Sequence, residues 1–170
     1  MCFGAQHSQH KSPALGTRLI DAGAVGISVS TVGITFYICS VFSHCLLWGV
    51  QVDEAQIFAH YGFRDLFIVT PVADAQALAR LQQLASQVDT LRVAVENVDN
   101  VHSIARAMRQ VHAVAEVLVS VNVGRNTTGI SVSQAVKLAR AVFDLEQEDQ
   151  GVKFAGITCH EPDSSAAVQV

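Results

Sequence analysis

Three short stretches of this 170-residue chain carry the side chains that could do chemistry. The first, His7-Ser8-Gln9-His10-Lys11-Ser12-Pro13, brings two imidazoles, hydroxyls and an amine within seven positions. A His-x-x-His pair ligates a metal from a helix, but His7 and His10 precede Pro13 in a strand-like stretch, so no metal site is expected there. The second runs from Asn122 to Gly129. Asn122 and Asn126 suit either ligand contact or the closing of a strand-to-helix turn, and Gly124 and Gly129 fit the turn. The third is His160-Glu161, an imidazole beside a carboxylate. No phosphate-cradling GxxxxGK loop and no GxGxxG occurs, and neither Ser8 nor Ser120 has the flanking glycines of a nucleophile elbow.

What positions these stretches is a repeating strand and helix. Ser12 and Pro13 read as the cap and first turn of a short helix with Leu15 and Leu19 on one face and Gly23 beyond its end. A small-residue apolar run, Ala24 to Ser30, follows. Asp53 to Tyr61 reads as a helix ended by Gly62, and Leu66 to Val69 as a buried strand. The helix near Asp74 to Val88 lines up Leu78, Leu81, Leu84, Ala85 and Val88 before a strand at Leu91 to Val95. Asp99 is expected to cap a helix with Val101, Ile104, Ala105 and Met108 at i, i+3, i+4 and i+7. Val117 to Val119 is the next strand, Ala135, Leu138, Ala139 and Val142 mark the next helix, and Phe154 to Cys159 is the last strand.

Strands beginning near residues 66, 91 and 116 recur at the length of one strand, one helix and two short loops. That spacing predicts parallel strands. Apolar runs without alternation predict a sheet covered on both faces, either open and doubly wound or closed as a barrel. Five strands are countable after residue 23, whereas an eight-fold barrel takes about 250 residues, so a barrel here would be incomplete.

The runs HKSPALGTRLIDAGAVGISVST, DLFIVTPVAD, RVAVENVDNV and VSVNVGRNTTGI resemble, in order and spacing, the alanine-racemase-like N-terminal barrel of D-serine dehydratases and D-threonine aldolases. The likeness covers about residues 7–31 and 52–161. It implies an α/β fold, a parallel (β/α) barrel of the pyridoxal-phosphate fold-type III kind. It also implies pyridoxal phosphate as cofactor, held by a lysine on the first strand, and a carbon–oxygen or carbon–carbon lyase acting on a D-hydroxy amino acid.

Carried over residue by residue, the likeness puts Ser8 where that lysine stands, with His10 and Lys11 matching the two positions that close the motif. A serine hydroxyl cannot form a Schiff base. Lys11 is an alternative amine, but it lies three residues on, about 10 Å along extended chain and on the opposite side of the pleat. Thr127, beside Arg125, takes the place of a family arginine that supports the cofactor, and His160 that of a family tyrosine. His10, Thr127 and His160 are therefore the candidate cofactor contacts, and no catalytic residue is assigned. The family's later phosphate loop and its zinc-binding His and Cys would fall past Val170, so neither is expected in this sequence.

Residues 32–51, VGITFYICSVFSHCLLWGVQ, interrupt this pattern. Removing them joins Thr31 to Val52 and restores a run of the family kind. The segment holds the only tryptophan, two of the four cysteines and no charged residue. As a membrane anchor its apolar part, Ile34 to Val50, falls short of the roughly 20 residues a spanning helix needs and lacks basic flanks. As a translated intron it fits a unit that begins with a valine codon and ends with a glutamine codon; a genuine hydrophobic insertion is the third reading. The expected organisation is a partial barrel over 7–161 interrupted by a foreign insert at 32–51, with 162–170 as a frayed tail.

Composition narrows the partners. The net charge of −4, with 15% charged residues and no basic cluster, excludes the electrostatic footprint of nucleic-acid binding. Four cysteines without a CxxC pair, and no secretory signal at the N-terminus, predict a reducing, cytoplasmic setting. Open barrel edges and the apolar insert predict self-association. The competing expectation to an inactive lyase barrel is a non-catalytic interaction module or a membrane-tethered, decayed paralogue.

Overall fold

A computed structural model of the chain describes residues 14, 17–18, 21, 26–29, 46–49, 52–123, 128–148 and 151–159. Six strands lie side by side in chain order, each parallel to the next: β1 (Gly26–Val29), β2 (Leu46–Gly49), β3 (Asp65–Ile68), β4 (Thr90–Val95), β5 (Ala115–Val121) and β6 (Val152–Cys159). Helices α1 (Val52–His60), α2 (Ala75–Ala85), α3 (Val98–Gln110) and α4 (Val132–Gln147) make the crossovers after β2, β3, β4 and β5. Parallel neighbours require such crossovers, because a tight turn can only reverse the chain. The starts of β3, β4 and β5, at residues 65, 90 and 115, keep the spacing of 25 expected from the sequence. The sheet is therefore a parallel α/β sheet in sequential strand order; among the described residues β1 and β6 do not pair to close it.

Helices α2, α3 and α4 begin where short polar side chains satisfy their first amides. Asp74 Oδ1 accepts from Ala77 N at 2.8 Å at the start of α2, and Ser131 with Gln134 forms a reciprocal capping box at the start of α4. The cap of α3 is Asn97, whose Oδ1 accepts from Asn100 N at 2.8 Å; Asp99, expected in that role, sits in the first turn instead. Asn97 takes the extended backbone that a cap requires, which starts the helix two residues earlier.

One face of the sheet packs against all four helices. Leu66, Ile68, Leu91, Val93, Val95, Ala115, Val117 and Val119 alternate onto that face and join Phe58, Leu81, Leu84, Val101, Ile104, Met108, Leu138 and Val142 in one core. The opposite face differs. Phe67 and Ala94 are buried there outside that core, and near the N-terminal ends of the strands it carries a ladder of charges. Arg92 pairs with Asp65 on β3 and, through Nε, with Glu116 Oε2 at 2.9 Å on β5, and Glu116 Oε1 lies 3.8 Å from Lys153 Nζ on β6. The expectation of strands apolar on both faces thus needs correction: Arg92, Glu116 and Lys153 each interrupt an apolar strand, and each neutralises its neighbour across the sheet.

Four residues of the segment expected to be foreign, Leu46–Gly49, form β2 between β1 and β3. Residues 32–45, 50–51 and the tail 162–170 lie outside the described residues. Ala14, Thr17, Arg18 and Asp21 are helical and exposed, where a short helix was expected. Among the described residues no helix is long and apolar enough to cross a membrane.

Candidate functional site

Because all six strands run the same way, their C-terminal ends share one edge, where the loops into the helices converge. In open and closed parallel sheets alike, ligands bind along that edge. On the face opposite the helices it presents Ser120 and Thr158, register neighbours on β5 and β6, with Glu96 immediately after β4.

The segment joining β4 to α3 ties two neighbouring loops together. Glu96 Oε1 accepts a hydrogen bond from Gly129 N at 2.8 Å, holding the loop between β5 and α4. One turn further on, the buried Asn100 donates from Nδ2 to the carbonyl of Val72 in the loop between β3 and α2. Asn100 Oδ1 has no protein partner, the one such buried side-chain atom among the described residues.

The β5–α4 loop is fixed at both stems. Asn122 N donates to Ile130 O and Ile130 N to Ser120 O, both at 2.9 Å, so the chain leaves β5 at Asn122 and returns against it at Ile130. Gly129 makes that return possible. Its φ is +90°, and a Cβ there would lie 2.5 Å from the Val121 carbonyl carbon and 2.6 Å from Asn122 N. The expectation that Gly129 serves the turn is met in this geometry.

Ser8, His10, Lys11, Thr127 and His160, the candidate positions from the sequence, lie outside the described residues, as do His7, Gly124, Arg125, Asn126 and Glu161. Asn122 and Gly129 stand at the edge as expected. Sequence reasoning missed Glu96, although it lies within RVAVENVDNV; its signal was a carboxylate directly after an apolar strand, at the end where sites are built. Cys159 is free and exposed at the end of β6. Among the described residues no group of three or more His, Cys, Asp or Glu side chains is placed to hold a metal ion.

The arrangement is that of an alanine-racemase-like N-terminal α/β unit, and comparison with known proteins bears this out. A D-threonine aldolase from an Arthrobacter species is 32% identical over 152 residues, covering 89% of this chain and 34% of that enzyme. A 3-hydroxy-D-aspartate aldolase from Paracoccus denitrificans is 26% identical over 121 residues, 71% of this chain and 30% of that protein. The crystal structure of D-threonine aldolase from Filomicrobium marinum superposes with a TM-score of 0.67 at 27% identity over 87% of this chain and 34% of that one. Alanine racemase from Streptomyces lavendulae shares the fold, with a TM-score of 0.60 at 14% identity over 73% of this chain and 31% of that one. No family model matches the chain. The chain is a partial alanine racemase N-terminal-like domain of the D-threonine aldolase family, spanning about a third of the length of the curated relatives it matches.

Proposed function

We propose that this chain is a piece of a pyridoxal-phosphate-dependent D-amino-acid lyase barrel, of the D-threonine aldolase or D-serine dehydratase type, that does not catalyse the reaction as written. The observation that carries the reading is a mismatch between frame and chemistry. The edge at which a barrel builds its site is formed, with Glu96 and Gly129 fastening its loops, while Ser8 stands where the resemblance requires the cofactor lysine.

The residues present do not fit a covalently held cofactor. The chain has three lysines. Lys137 lies on α4 and Lys153 at the N-terminal end of β6, the far end of the strand from the candidate edge, and Lys11 is the amine displaced from the motif. No catalytic step through pyridoxal phosphate follows from these residues. Hydroxyl and amide groups at the edge, from Ser120, Asn122, Thr128 and Thr158, support only non-covalent contact with a small polar ligand, in line with the D-hydroxy amino acid that the resemblance implies.

The test is to add pyridoxal phosphate, reduce with borohydride and map any adduct by peptide mass. No adduct is expected at any lysine, and no cleavage of D-threonine, D-serine or 3-hydroxy-D-aspartate. An adduct on Lys11 with lyase activity would overturn the reading.

A second reading, a non-catalytic interaction module, is favoured by one specific feature. Val132, Val136 and Phe143 form an exposed stripe along α4, and Ile157 is exposed on β6. Recovery of a stoichiometric complex from cells, lost on Val136→Lys, would support that reading over the first.

A further inference from the structure

Glu96 does more than end a strand. It is half-buried and spends its carboxylate on a backbone amide of another loop, 33 residues away in sequence, with Gly129 N at 2.8 Å. Charge-assisted hydrogen bonds of this kind are roughly twice as strong as neutral ones. The amide it holds belongs to a residue whose position is already narrowly determined: at φ +90°, with backbone packed where a side chain would begin, Gly129 accepts no side chain without displacing Val121 and Asn122. The two ladder bonds between Ser120, Asn122 and Ile130 align the stems of the loop with β5 but do not fix how the loop leans across the sheet. Glu96 supplies that lateral restraint from just past the end of β4. Asn100, one turn along from Glu96, restrains the β3 loop through the Val72 carbonyl, so one short segment sets the spacing of three consecutive loops.

We infer that Glu96 is a positioning residue of the candidate edge: its carboxylate, by holding Gly129 N, sets where Asn122 and Thr128 stand relative to the hydroxyls of Ser120 and Thr158, and so prepares the edge for a small polar ligand. This rests on the reading above that the C-terminal edge is the ligand-binding edge. Glu96 touches no reacting atom in this role and acts through the loop it holds.

Amide hydrogen exchange and chemical-shift titration on the full chain test it in three proteins: unaltered, Glu96→Gln and Glu96→Ala. The glutamine keeps an acceptor oxygen at the same reach; the alanine removes it. Exchange at Gly129 should quicken about tenfold or more in Glu96→Ala and return most of the way in Glu96→Gln, while the amides of Val93 and Val117 keep their rates. With pyridoxal phosphate as the probe, shifts at Asn122 and Thr128 should saturate at about tenfold higher concentration in Glu96→Ala than in Glu96→Gln. Unchanged exchange at Gly129 overturns the inference, and so does an equal acceleration at Val93 and Val117, which would mark a loss of overall stability only. Shifts that saturate alike in all three proteins overturn it as well. If the probe shifts nothing in the unaltered chain, the ligand-edge reading fails. That failure is distinct, because exchange at Gly129 still separates the three proteins and confines Glu96 to holding the loop.

Discussion

The two faces of the sheet are built from the same strands and held by different forces. On the helix side, Val, Leu and Ile at alternate positions meet Leu81, Leu84, Ile104 and Met108, all fully buried. That burial is non-directional and repeats from unit to unit. On the other side, Phe67 and Ala94 are buried but Asp65, Arg92, Glu116 and Lys153 run across four strands as alternating charges, each dependent on the position of its neighbour. The helix side supplies stability in proportion to apolar area; the ladder side supplies register. A one-residue slip of β4 against β5 would move Arg92 to the wrong face and leave Glu116 with Lys153 alone.

The sharpest way to test that contrast is to damage each face in turn. Leu81→Ala, which empties a fully buried site between α2 and the sheet, should lower unfolding free energy by about 2–5 kcal/mol in urea titrations. Arg92→Leu removes the centre of the ladder and leaves two carboxylates facing it, so a smaller loss of about 1–3 kcal/mol is expected. A loss on the ladder side as large as that of Leu81→Ala would break the contrast. Asp74→Ala, which frees the first turn of α2, should cost about 1 kcal/mol. Val136→Lys alters only the exposed stripe of α4, at a residue 68% exposed, and should stay within about 0.5 kcal/mol while raising the soluble fraction.

A larger cut bears on how the sheet is threaded. β2 passes to α1 through two residues, Val50 and Gln51, and after removal of 32–51 β1 would pass to α1 through two residues as well, Ser30 and Thr31. Both loops fall within the usual strand-to-helix range of about 2–6 residues. We therefore expect the shortened chain to keep its helical circular dichroism, with β1 taking the place of β2 beside β3, and to be more soluble. A shortened chain that unfolds would make β2 integral and end the view of this segment as foreign.

The frame was legible in the sequence because each unit repeats the same burial. Leu81 and Leu84, Val101 through Met108, and Leu138 with Val142 all sit where a period of 3.6 put them. β2 was not legible, because Leu46–Gly49 lies in a charge-free run whose apolar residues have no distinguishing period. The charged ladder was hidden for the opposite reason: Arg92, Glu116 and Lys153 are single polar residues in apolar runs, and only register shows that they meet. At the candidate site, turn chemistry made Gly129 readable, whereas Glu96 acts on a loop 33 residues away, and no local spacing encodes such a partner.

Strict neighbour-to-neighbour order, from β1 to β6, has a kinetic consequence. From β2 to β6 every strand pairing joins segments separated by one helical crossover, so contact order is low for a parallel sheet and assembly can spread from any preformed pair, much as in a linear array of repeats. Cooperativity in such an array is set at each interface between units. Partial unfolding should therefore begin at the two outermost strands, β1, paired at only four positions, and β6, where Ile157 is 69% exposed, and leave the β3–β4–β5 interior standing.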